Sequence, residues 1–188
     1  MSAPPTAEKK KVSAPAGKKV AAAAKRKSSA PKSARGSGGP DAIELLIADH
    51  REVEALYKSY EALKDQDDDA GKQEIAEDIC LALRVHTQIE EEIFYPAVKG
   101  PVEEDEINEA IVEHAGAKDL IGQIEGMMPD EKLYDAKVKV LWESVEHHVK
   151  EEEGEMFPEV RESGQVDLKA LGAQMAKRKE ELMMELAG

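Results

Sequence analysis

Two eleven-residue segments hold the side chains most able to do chemistry. Residues 86–96 read HTQIEEEIFYP and residues 148–158 read HVKEEEGEMFP. Each has a histidine, a glutamate four residues later, a second glutamate, and a proline ten residues after the histidine. An i, i+4 pair on a helix leaves from one face. His86 is therefore paired with Glu90, and His148 with Glu152. Two such copies facing each other across a helical bundle would make a metal site.

The other histidines extend the pattern. Of the five in the chain, His50, His86, His114 and His148 each fall on the apolar stripe of a separate predicted helix. His50 follows Ile43 and Leu46, His86 follows Ile79 and Leu83, His114 follows Ile107 and Ile111, and His148 follows Leu141 and Val145. His147 has Glu143, Ser144, Lys150 and Glu151 as its same-face neighbours and reads as a solvent-side residue. A single histidine on an apolar stripe is usually a satisfied core residue. Four of them, two with an inward glutamate one turn on, are not explained that way. A buried carboxylate left alone costs several kcal/mol and needs a partner or a cation. Glu91, Glu92, Glu151 and Glu153 read as solvated, with Glu91 or Glu151 a candidate to orient a ligand from behind.

Imidazole and carboxylate without thiolate suit iron, manganese or zinc. The single cysteine, Cys80, excludes a thiolate cluster and a disulfide framework. Four imidazoles and two carboxylates exceed the needs of one tetrahedral zinc. They suit two metal ions, each with two histidines, joined by the carboxylates. Iron is the expected metal, with zinc or manganese as substitutes.

The elements that must position these groups are helices. Asp41 caps a first helix, with Ile43, Leu46, His50, Val53 and Tyr57 on one stripe. DQDDDAG at 65–71 breaks it. The second helix carries Ile75 to Ile93 and is expected to stop near Pro96, before a KGP turn at 99–101. The third carries Ile107, Ile111, His114 and Ile121 and ends near Gly126. The fourth carries Leu133, Val138, Leu141, Val145 and His148 and ends around Pro158. Short connections between long helices argue an all-α, up-down-up-down four-helix bundle over residues 41–160. A further amphipathic segment, from about Leu168 to Leu186 within residues 161–188, is expected to pack outside the bundle or against a partner.

Charge divides the chain of 188 residues in two. Residues 1–40 are rich in Lys, Ala, Pro, Ser and Gly, and hold ten Lys or Arg against Glu8, a balance of +9. The net −14 thus leaves −23 for residues 41–188. The first segment lacks large apolar side chains and is expected to be a disordered tail. It is either a solvated tether or an arm for nucleic acid or another polyanion, although no aromatic residue is there to stack on bases. No apolar run reaches the ~18 residues of a membrane span, and the sequence reads as soluble and cytoplasmic.

The doubled H-x3-E motif, His50 in LIADH and His114 in VEH resemble the hemerythrin-like domain, also called the HHE cation-binding domain, over roughly residues 41–160. The resemblance implies a four-helix bundle around two iron ions, oxo- or hydroxo-bridged, that binds dioxygen or responds to oxygen, nitric oxide, peroxide or iron. By motif, His50 and His86 would serve one iron, His114 and His148 the other, and Glu90 and Glu152 would bridge them. Oxygen-carrying hemerythrins have a further histidine one turn from the position of His114, where this chain has Ala110 and Lys118. The last carboxylate is Glu152 at four residues, not an aspartate at five. Both departures leave the second iron less saturated, which weakens an oxygen-transport role. A di-iron redox enzyme, peroxidase- or catalase-like or handling nitric oxide, is the alternative. Beyond the ligands no obvious acid or base stands out, although Tyr57 lies two turns from His50 on its stripe.

Overall fold

The computed structural model describes residues 38–64 and 66–186. The expectations for residues 1–37 lie outside the described residues. Among the described residues the regular structure is helical, with no strand. Helix α1 spans Ala42–Leu63, α2 Asp69–Ile89, α3 Tyr95–Val98, α4 Glu104–Glu125, α5 Tyr134–Glu151, α6 Phe157–Ser163 and α7 Leu168–Leu186. A π-helical turn, Glu90–Phe94, joins α2 to α3, and another, Glu152–Met156, joins α5 to α6.

Local chemistry sets the ends of α1. The Asp41 carboxylate accepts from the Glu44 N–H at 2.8 Å, and the Glu44 carboxylate accepts from the Asp41 N–H at 2.8 Å. This reciprocal capping box satisfies two donors that the helix leaves orphaned. Asp68 caps α2 through the Gly71 N–H, and Gly126 follows α4.

Helices α1, α2, α4 and α5 form the four-helix bundle, and their apolar residues show its alternating direction. One core cluster contains Leu46, Ile89, Ala110 and Met156. A second contains Val53, Leu83, Ala117 and Val145. Chain order runs from the first cluster to the second in α1 and α4, and from the second to the first in α2 with its π turn and in α5 with its own. In every helix the histidine falls between the two. The polar residues therefore form one layer, closed above and below by dry side chains.

Two periodicity expectations shift. Ile111 is exposed, because the buried series on α4 is Ile107, Ala110, His114, Ala117 and Ile121. Leu133 is exposed just before α5, whose buried series starts at Tyr134. Both prolines also fail to end their helices where expected. The chain continues helically past Pro96 to Val98 and past Pro158 to Ser163.

Helix α7 packs onto the bundle through Leu171, Met175 and Leu182, which join the first core cluster. Gly172 allows the approach. A Cβ there would lie 2.6 Å from the Pro40 carbonyl oxygen and 2.7 Å from the Ala42 nitrogen. Arg178 reaches Glu92 at 2.7 Å, and Lys179 reaches Asp49 at 2.5 Å.

Candidate metal centre

The repeated motif coincides with the two π turns. Each turn begins at the inward glutamate, and the N–H five residues on bonds back to that glutamate's carbonyl: Tyr95 to Glu90 and Phe157 to Glu152. The prolines supply a physical reason. Pro96 and Pro158 have no N–H, and their rings would clash with the carbonyl four residues earlier in a regular α-helix. Widening the preceding turn relieves that clash, and such turns recur at functional sites.

All six sequence-predicted side chains meet in the polar layer. His50, His86, His114, His148, Glu90 and Glu152 are buried, Glu90 completely. His50 Nε2 lies 3.2 Å from His86 Nε2, and His114 Nε2 lies 3.1 Å from His148 Nε2. Glu90 Oε2 stands between the pairs, 3.2 Å from His86 Nε2 and 3.3 Å from His114 Nε2. Glu152 Oε2 also straddles them, 3.3 Å from His50 Nε2 and 3.6 Å from His148 Nε2.

Each imidazole has a carboxylate behind it. His50 Nδ1 faces Glu153 at 2.9 Å, His114 Nδ1 faces Glu91 at 3.0 Å, and His148 Nδ1 faces Glu113 at 2.8 Å. His86 Nδ1 faces Asp49 at 3.7 Å, beyond hydrogen-bonding distance. A carboxylate at Nδ1 assigns the ring proton to that nitrogen and leaves Nε2 as an acceptor. Three of the carboxylates are held in turn by a cation: Glu153 by Arg51, Asp49 by Lys179 and Glu91 by Lys118.

These outer groups follow a rule in the sequence that the motif reading missed. Glu91 and Glu153 each come directly after the inward glutamate, and Asp49 and Glu113 each come directly before the histidine of α1 or α4. The dipeptides DH, EH and the two EE steps are their signal. Of the four surplus glutamates, Glu91 and Glu153 thus bond histidines, Glu92 pairs with Arg178, and Glu151 pairs with His147. Glu153 is therefore not merely solvated, as expected from its exposed spacing, because the π turn swings it toward α1.

Tyr95 was also missed. Its buried hydroxyl donates to Glu152 Oε1 at 3.0 Å and lies 3.3 Å from His114 Nε2. The corresponding place after the second π turn holds Phe157, whose ring stacks on His50 with centroids 6.0 Å apart. Tyr57 takes no part: it bonds Glu61 and stacks on Trp142 at 4.8 Å.

The electrostatics are those of a cluster waiting for positive charge. Burial, then the neighbouring Glu152 charge, pushes the Glu90 carboxyl well above the usual range. Burial also opposes ionisation of Glu152, but the nearby His50 and His148 imidazoles outweigh it and bring the group down to about 2. Burial lowers His86 to about 4 and lowers His114. It acts the same way on His50, where Glu152 overcomes it and the net shift is upward. Tyr95 is held neutral by burial and by the two flanking carboxylates.

Both Glu90 oxygens and Glu152 Oε2 are buried without a hydrogen-bond partner. Such atoms carry a large desolvation penalty unless something binds them. Facing Nε2 acceptors only about 3 Å apart repel, and a cation held by both would relieve that repulsion. Ligand atoms of His50, His86, Glu90 and Glu152 lie within 4.8 Å of one another, as do those of Glu90, His114 and His148. Both groups include Glu90, and imidazole with carboxylate is a donor set that fits a metal cation.

The chain is similar to known proteins in sequence and fold. Residues 41–160 match the model of the hemerythrin HHE cation binding domain. A crystal structure of a hemerythrin HHE cation binding domain-containing protein, the Rv2633c homolog from Mycobacterium kansasii, is similar with a TM-score of 0.66 and 25% identity. The similarity covers 78% of this chain and 90% of that one. A protein of Nostoc sp. (strain PCC 7120 / SAG 25.82 / UTEX 2576) described as a DNA nickase is 29% identical over 118 residues. The aligned part is 63% of this chain and only 33% of that relative's length.

Proposed function

The chain belongs to the hemerythrin HHE cation-binding domain family, and on that premise we propose that it is a non-haem di-iron protein that binds or senses dioxygen, nitric oxide, peroxide or iron. The observation that carries the proposal is the convergence of four imidazole Nε2 atoms on two buried carboxylates whose oxygens lack partners. In this reading His50 and His86 hold one ion, His114 and His148 hold the other, and Glu90 and Glu152 join them. Iron held there would supply ferrous–ferric redox chemistry and an open position for a small ligand.

The residues around the layer favour a small uncharged ligand. A cavity of about 20 Å³ touches all four histidines and is otherwise walled mainly by Val53, Leu83, Ala117, Val145 and Val149. It has room for about one water-sized guest, the scale of a diatomic molecule. The outer carboxylates Glu153, Glu91 and Glu113 keep the His50, His114 and His148 imidazoles turned inward. Tyr95 is the only hydroxyl bonded to an inward carboxylate among the described residues, and it can hold or return a proton at Glu152 Oε1. That arrangement also serves the redox-enzyme reading.

The test is elemental analysis and an absorption spectrum of the full-length chain, before and after dioxygen, nitric oxide and peroxide. The expected result is about two irons per chain with ferric charge-transfer absorption that responds to one of these ligands, all lost in Glu90→Ala. A colourless protein that takes up no iron on reconstitution would sink the proposal. Repeated turnover of peroxide or nitric oxide would make it an enzyme, and a single stoichiometric reaction a binder or sensor. A second reading concerns residues 1–40, whose balance of +9 suits nucleic acid or another polyanion.

A further inference from the structure

We propose that the acidic cleft lined by Glu106, Glu109, Glu113, Glu151 and Glu155 is the route by which a divalent cation reaches the centre, with Glu113, His147 and Glu151 as an outer station on it. The inference rests on the reading of the centre as a metal site.

The cleft has a volume of about 80 Å³ and connects the surface to His148 and Glu152. It has five glutamates besides Glu152 in its lining and no lysine or arginine. Glu106, Glu109 and Glu155 form no ion pair among the described residues. Glu106 Oε1 is buried without a partner. Burial, then the charges of Glu159, Glu155 and Glu151, raises its carboxyl above the usual range. Like charges gathered in a concave, partly dry surface focus the field and attract cations.

The two ends of the cleft carry ligand chemistry. At the inner end Glu152 is 1% exposed, and its Oε2 has no hydrogen-bond partner. Two lining residues, Glu113 and Glu151, also meet the exposed His147 outside the lining, with ligand atoms of the three within 4.8 Å of one another. His147 Nε2 is 3.1 Å from Glu151 and 3.6 Å from Glu113. Glu113 also accepts from His148 Nδ1 at 2.8 Å. One carboxylate therefore touches both the outer station and a ligand of the centre.

A small side chain borders the cleft. Ala110, one turn before His114, forms part of the cleft wall. One turn before His50 the matching position holds Leu46, fully buried in the core. A second surface opening beside His50 is larger, about 400 Å³, but Arg51 and Lys150 line it together with Glu54, Glu146 and Glu153. Arg51 pairs with Glu153 and Lys150 with Glu146, so this opening has less uncompensated negative charge than the cleft.

The test is the rate at which metal-free, full-length chain takes up ferrous iron under anaerobic conditions, followed by protection of the ion from a chromophoric chelator. Glu106→Gln/Glu109→Gln/Glu155→Gln is expected to load about 10-fold more slowly at low salt. Its salt dependence should flatten, while the final stoichiometry stays that of the wild type. Glu109→Gln/Glu155→Gln, which changes only exposed side chains, should give a smaller slowing in a fold left intact. Glu54→Gln/Glu146→Gln at the other opening should load at the wild-type rate. Equal rates and salt dependence in the wild type and both cleft variants would overturn the route, as would slowing by the Glu54/Glu146 pair instead. A wild type that binds no metal would overturn the reading of the centre, a failure distinct from normal loading at equal rates.

Discussion

Behind each inward imidazole stands a carboxylate, and in front of each stands another histidine. That pairing makes the polar layer more than a set of buried titratable groups. A hydrogen bond at Nδ1 turns Nε2 toward the centre, so the ring's free lone pair is committed before any ligand arrives. Tyr95 plays the comparable part for Glu152: its hydroxyl fixes one carboxylate oxygen and leaves the other unpaired. Tyr95→Phe should therefore leave Glu152 Oε1 buried without a donor, costing about 1–3 kcal/mol in the metal-free chain. Thermal melts of metal-free protein would check this. The same change should lower metal affinity by about 10-fold or more in a chelator competition. An unchanged melting temperature together with unchanged affinity would show that the hydroxyl does not orient the carboxylate. The six inward residues were legible from spacing, since i, i+4 pairs and apolar neighbours are local properties. Tyr95 was not, because its distance from Glu90 is read differently on a π turn than on an α-helix.

At the scale of the elements, prolines and a glycine decide more than propensity does. Pro96 and Pro158 read as helix ends, yet each helix absorbs its proline by widening one turn. That turn starts at the inward glutamate, so the change that accommodates the proline also aims Glu91 and Glu153 at histidines on α4 and α1. Helix α7 was legible as amphipathic but not as to its partner. Its seat is α1 and α2, and the position that permits it is Gly172, whose neighbours are backbone atoms that cannot move aside. Gly172→Ala should destabilise the fold by about 1–3 kcal/mol through overpacking, despite alanine's better helix propensity. Urea denaturation would measure it; a stabilised variant would mean that α7 does not sit as closely as described.

At the scale of the whole molecule, charge and layering act separately. Two apolar clusters close the polar layer from either side, and the alternating direction of the four helices brings one histidine from each to the same height. The strongly acidic body would repel a polyanion, which leaves any such contact to the basic segment. Deleting residues 1–40 should abolish salt-sensitive binding of the chain to DNA or RNA without altering its iron content. If the full-length chain shows no such binding at low salt, the polyanion reading ends there. No described helix is long and apolar enough to cross a membrane.

Residue order alone established the long helices, their inward faces apart from Ile111 and Leu133, and the inward direction of the four histidines and two glutamates, because helical periodicity is a short-range property that needs no partner. It left undetermined which carboxylate backs which imidazole, that Tyr95 and not Tyr57 reaches the centre, and that an acidic cleft runs past Ala110 to His148 and Glu152. Those depend on contacts between helices far apart in the chain, on the widened turns after His86 and His148, and on volumes that exist only once the four helices are packed.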